Sequence, residues 1–308
     1  MFGFRTHGAW AAALVGLTAS ILVAGPVVID SDTAVGPDDR TFDGLDIVVR
    51  GATLTIDGTH AFASLTLERN GSNQPGILRH TAAFSARGVN GTVLDVSGDV
   101  LVQGADRALV GSRIDLDGRG YPGTMGPGAG GNSSNGSWGS GGGGHGGAGG
   151  NGAGGFATPG GGTYGSVTMP DEFGSGAGSY LGNASAAGGG AIRLIVGGTL
   201  TVDGTITAGG AALSSTAGAG GSIWIDAATV AGTGIMRANG ANGQNGSWGG
   251  GGGGRIAVIA NTLTFDGDLT ACGGSGARGG AGTIYRNIGG VRTVIVDNCG
   301  NVGENTEF

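Results

Sequence analysis

The sequence predicts an all-β protein, a right-handed parallel β-helix with long glycine-rich loops. Three observations carry that prediction. Gly190-AIRLIV-Gly197, Gly221-SIWIDA-Ala228 and Gly254-RIAVIA-Asn261 each place alternating apolar residues after a glycine run. Their isoleucines Ile192, Ile223 and Ile256, with Ile284 in a weaker fourth copy, are 31, 33 and 28 residues apart. A repeat of that length built from short strands implies a solenoid, in which neighbouring units bury each other's apolar faces. Finally, glycine supplies 76 of 308 residues, yet 39% of the chain is hydrophobic and only seven residues are proline, which excludes collagen and a flexible linker.

The elements follow in order. Residues 1–25 read as a signal peptide: Arg5 and His7 precede the apolar run from Ala9 to Ala24, shorter than a bilayer span requires. No later segment reads as a span. Residues 26–117 form a strand-rich cap and first repeats. Asp46–Val49, Thr53–Asp57, Ser64–Glu68, Val93–Val96, Asp99–Val102 and Arg113–Asp117 alternate between turn residues. Residues 118–190 are a glycine-rich insertion. It carries Tyr121, Trp138, Phe156, Tyr164, Phe173 and Tyr180, and it shares Asn135-GSWGSGGG-Gly144 with Asn245-GSWGGGGG-Gly254. Two readings stand for it: a disordered linker or, as the aromatics and the shared motif favour, an enlarged loop whose glycine runs pack as polyproline-like strands. Residues 191–300 are aligned repeats of three short strands. Ile192/Leu194/Val196 lead to Leu200/Val202, and the third strands centre on Ile206, Met236, Leu269 and Val296. Residues 301–308 are a tail.

Charge narrows the partners. Formal charge is −7, lysine is absent and all fifteen basic residues are arginine, so no phosphate-neutralising patch for nucleic acid is expected. The two cysteines, Cys272 and Cys299, align in one column of successive repeats. Strands there lie about 4.8 Å apart, which suits a disulfide in an exported chain.

Chemistry is sparse. Asp57, Asp117, Asp203 and Asp266 each precede glycine after an apolar residue, which suits corner turns; stacked at one corner they would alternatively bind Ca²⁺. No other cofactor is expected. No catalytic residue is assigned; Asp115 and Asp117, flanked by Arg113 and Arg119, are the leading candidates, and a solvated face with compensating arginines explains them better. His60, His80 and His145 lack partners at metal-ligand spacing. The outward ladder Arg193, Trp224, Ala257, Tyr285 sets Arg193 against Trp224. With the matched loop residues Trp138 and Trp248, Arg193, Trp224 and Tyr285 form a candidate contact surface for carbohydrate or another partner; the aromatics would equally pin glycine loops.

At Gly189–Leu194, Gly220–Ile225, Thr199–Gly204, Thr262–Gly267, Gly249–Val258, Ile114–Gly123 and Gly141–Gly147 the chain resembles glycine-rich repeat proteins of bacterial surfaces and secretions, adhesin-like in type. The resemblance covers most of residues 42–290 and implies a right-handed β-helix with an adhesive or structural role at or outside the envelope. It supplies no catalytic residues. The sequence therefore predicts an exported structural or adhesive protein of the bacterial surface, without catalysis, whose partner is a surface or matrix polysaccharide or protein. Two alternatives stand beside it: a polysaccharide-binding or polysaccharide-degrading lyase or hydrolase, and a calcium-dependent surface module.

Overall fold

The computed structural model describes residues 25–83, 85–86, 89–105, 111–134, 139–153 and 158–306. The expected signal peptide lies outside them, save for its last residue, as does Trp138. Among the described residues the regular elements are strands, with no helix.

Most strands fall in two sheets. The larger, of eleven strands, runs from Val27–Ile29 through Asp46–Arg50, Ser64–Glu68, Val100–Val102, Ala191–Val202, Ser222–Gly232, Arg255–Phe265 and Thr283–Ile288 to Val291–Ile295. Thr92–Val96 also pairs with Ala191–Val202 and carries Gly58–Phe62 on its other side. The smaller sheet orders Thr33–Val35, Thr53–Ile56, Ile77–Arg79, Arg113–Asp115, Thr205–Thr207, Ile235–Arg237 and Asp268–Thr270. Alternation explains the strands: in Ser64–Glu68 and Thr53–Ile56 every second side chain is buried. These inward residues form one continuous apolar cluster, from Ile29 to Ile284. Like residues pair across repeats: Ile192 with Ile223, Ile223 with Ile256, and Ile256 with Ile284.

The predicted closed β-helix, a right-handed solenoid with three short strands per repeat, is corrected. Eighteen of the 22 described strands make two separate sheets of eleven and seven, the other four form two antiparallel pairs, and the large sheet itself ends on an antiparallel pair. The reason lies in the connections. The stretch from Val196 to Thr199 was expected to end one strand and begin another. Instead Gly197 and Gly198 are absorbed as a bulge, and Ala191–Val202 continues as a single strand of 12 residues. The fourth copy departs further. Gly289 and Gly290, with φ of 56° and 88°, close a two-residue hairpin that turns Val291–Ile295 antiparallel to Thr283–Ile288. Val296 is thereby left 42% exposed, outside the small sheet whose third-strand column it was expected to continue.

Glycine occupies the remaining side of the repeats, as a hydrogen-bonded array. The run 249–254 sits at its centre. Gly249 and Gly252 donate to Ser140 and Gly143; Gly250 and Gly253 donate to Ala277 and Gly280; Gly251 and Gly254 donate to Ala241 and Ala238. A donor direction that recurs every third residue is the signature of an extended helix with three residues per turn. The carbonyls reach further neighbours, accepting from Gly150, Gly147, Gly274 and Gly220. With neighbours on all sides there is no room for a side chain. A Cβ at Gly251 would overlap Gly218 O, and one at Gly252 would overlap Gly147 O. Residues 128–134, 139–150 and 174–189 belong to the same array, so the described parts of the expected insertion are interleaved with the repeats.

Candidate functional site

The predicted catalytic pair is occupied structurally. Asp115 accepts from Arg113 Nε at 3.1 Å and from the Asp117 amide at 3.3 Å. Asp117 accepts from the Gly209 amide at 2.5 Å, and Arg237 lies 3.9 Å from its other oxygen. Both carboxylates therefore brace the small sheet, and none of the cavities described below includes them.

Three of the four Asp-Gly corners share one arrangement, in which the aspartate accepts the backbone N–H of the following layer: Asp57 from Thr81 at 2.8 Å, Asp117 from Gly209, and Asp203 from Thr233 at 3.1 Å. Asn239 and Asn242 do the same for Cys272 and Ser275. Asp266 is exposed. Among the described residues no three His, Cys, Asp or Glu side chains converge as metal ligands. Cys272 and Cys299 form a disulfide with Cα atoms 5.8 Å apart, tying the segment after the last hairpin to the end of the small sheet.

The three described histidines, His60, His80 and His145, are buried and serve the framework. His60 donates from Nε2 to Asp57 O at 2.9 Å, with Asp43 3.2 Å from Nδ1. His80 donates from Nδ1 to Thr81 O, accepts the Ala191 amide on Nε2, and stacks on Phe173. Burial lowers its pKa. His145 donates to Gly220 O at 2.8 Å within the glycine array. Burial, with the Arg255 charge adding to it, holds its pKa down to about 3. Arg255, 2% exposed, donates to Tyr164 O and Thr283 Oγ1.

The outward ladder is covered. Arg193 lies 3.8 Å over the Trp224 ring, but Trp224 and Tyr285 are only 8% and 7% exposed, packed with Ala257 under Val167. The segment carrying Val167 is tied down where Asn90 donates to the Glu172 carboxylate and Ser222 to the Glu172 carbonyl. Trp224 and Tyr285 thus pin a glycine-flanked segment and leave no ring face open to a partner. No spacing in the sequence announces that cover.

Of the concave places among the described residues, two lie beside features already described. A shallow groove of about 390 Å³ crosses the large sheet at the bulge, lined by Asp95, Ile195, Gly197, Asp226, Ile259 and Asn287. The other is a pocket of about 490 Å³ formed by Tyr180, Asn183, Leu213, Ser214, Ser215 and Trp248, with Ala184 and Thr216 completing its wall. Trp248 and Tyr180 meet edge to face, 5.2 Å between ring centroids. Three tight turns surround it, marked by positive φ at Leu181, Ser214 and Asn245. Of the predicted contact residues, Trp248 alone reaches an open cavity among the described residues. Tyr180 was legible only as one aromatic among several in the glycine segment.

Fold and site together define a two-sheet β protein buttressed by a glycine array. No family model, no curated protein and no solved structure matches the chain.

Proposed function

We propose that the protein is an exported structural or adhesive element of a bacterial cell surface or extracellular matrix. The observation that carries this reading is the array around residues 249–254, where backbone bonds to backbone in every direction. Such packing gives up side-chain chemistry over tens of residues in exchange for rigidity, because glycine offers no functional group and loses the most entropy on ordering. The engaged carboxylates of Asp115 and Asp117 and the buried histidines favour a framework role for those groups. The resemblance to glycine-rich surface proteins supports the same reading, and an oxidising compartment suits the Cys272–Cys299 bond.

The test is retention of the purified full chain on isolated envelope and matrix material, run beside an assay for new sugar ends from a polysaccharide panel. Stable retention without sugar-end release is the expected result. Release of new ends that stops in the Asp115→Ala/Asp117→Ala double variant would replace this reading with the enzymatic one.

A further inference from the structure

We infer that the pocket between Trp248 and Tyr180 is a binding site for an uncharged sugar ring of a polysaccharide chain. The inference rests on the adhesive reading and names the ligand class for it. Its lining is the argument. Two aromatic rings and Leu213, itself 43% exposed, supply apolar surface suited to the C–H face of a pyranose. Around them stand hydroxyl and amide groups only: Asn183, Ser214, Ser215 and Thr216.

No charged side chain lines the pocket, so an acidic sugar would lose hydration there without gaining an ionic partner. Part of the polar set is already engaged. Ser215 donates to Gln244 Oε1, and Thr216 donates to Leu213 O while accepting the Ala186 amide. Those bonds fix the hairpin Ala212–Leu213/Thr216–Ala217 and hold the rim in place. Among the described residues neither the Asn183 side chain nor the Ser214 hydroxyl has a hydrogen-bond partner, which leaves them to meet ring hydroxyls.

The rim is also preorganised. Leu181 with Gly182, Ser214, and Asn245 with Gly246 all hold positive φ, a conformation that costs energy at the three non-glycine positions. The turn at Leu181 precedes Asn183 directly, and the turn at Asn245 leads into Trp248. Both aromatic anchors are backed by the array: Ser133 bridges to Tyr180, and Gly249 to Ala277. An open pocket on a rigid backing suits a single ring within a longer chain, the geometry adhesion to a polymer requires.

The experiment titrates the full chain calorimetrically with cellohexaose, laminarihexaose, mannohexaose and chitohexaose, taking polygalacturonate as the acidic control. Saturable binding of at least one uncharged hexasaccharide is expected, weakened tenfold or more in Trp248→Ala, as for an aromatic anchor. Tyr180→Ala should weaken it as well, and Trp248→Phe should keep part of the affinity with an unchanged melting temperature. Asp226→Ala, in the groove across the large sheet, should bind as the parent does. The inference is overturned if no uncharged hexasaccharide binds, if Trp248→Ala binds unchanged, or if only polygalacturonate binds. Should the parent chain be retained on envelope material while it binds no uncharged hexasaccharide, the pocket assignment fails and the adhesive reading survives. Loss of retention by the parent chain itself would remove both.

Discussion

Gly251→Ala adds one methyl group where the structure has no space for it. The new Cβ would overlap Gly218 O and its carbonyl carbon, and it would press on the Ala241 amide. All of these are backbone atoms, so no side-chain rotation relieves the clash. Two bonds are strained first: Gly251 N–H to Ala241 O and Gly274 N–H to Gly251 O, at 2.9 and 2.8 Å. Losing both costs about 2 kcal/mol net. Overpacking a site that cannot yield adds about 1–3 kcal/mol. Alanine restricts the unfolded chain, which offsets about 0.4–1 kcal/mol. The net expectation is destabilisation by about 3 kcal/mol, a fall in melting temperature of about 6 °C or more for a chain of this size. Gly162→Ala is the matched control. Nothing lies within 4 Å of its Cβ position and the residue is exposed, so the entropy term alone remains and the variant should melt at or slightly above the parent. Thermal melts followed by circular dichroism compare the two. Equal melting of Gly251→Ala and Gly162→Ala would refute the array.

Four further outcomes follow from the same framework. Ile223→Asp puts an unpaired charge into a fully buried column and should cost more than about 4 kcal/mol, with both flanking strands opening together in hydrogen exchange; independent opening would contradict the stacked core. Cys272→Ser removes a bond closing 27 residues, and the loop-entropy estimate of about 3.5 kcal/mol should appear as a lower urea midpoint that reduction of the parent reproduces. Calcium chelation should leave the melting temperature unchanged, because Asp57, Asp117 and Asp203 direct oxygens at backbone amides; a large fall would restore the calcium module. For pH, the folded His145 pKa of about 3 lies below the unfolded value near 6.5, so the unfolded chain takes up the extra proton between them. Stability is full above about pH 7 and falls with acidification, by about 2 kcal/mol at pH 5; His80 acts in the same direction, while Glu172, raised by burial, opposes both. Melts at pH 8 and pH 5 should show a flatter dependence in His145→Gln, and an identical slope would remove His145 from the account.

The apolar columns were legible because alternation and spacing are local properties. Ile192, Ile223 and Ile256 pair as the spacing implied, as do Ile206, Met236 and Leu269. Closure into a three-stranded solenoid was an extrapolation from that pattern, and it failed at particular residues. Glycine was read as a strand breaker at Gly197 and Gly198, where a parallel neighbour accommodates it as a bulge. The Gly289–Gly290 pair closes a hairpin that the repeat alignment did not include. Polyproline-like glycine runs were anticipated, but their interleaving was not, because which run neighbours 249–254 is decided by packing across more than a hundred residues. The site shows the same division. Trp248 stood out through its duplicated motif, whereas the cover over Trp224 and Tyr285 and the approach of Tyr180 depend on tertiary placement.

The glycine array is the claim on which the structural reading depends, and amide hydrogen exchange on the full chain tests it most directly. If residues 249–254 are bonded as described, their amides should exchange as slowly as those of Ser222–Gly232 in the large sheet. Exchange of that run at the rate of a free chain, beside protected strands, would contradict the array and the rigid element built on it.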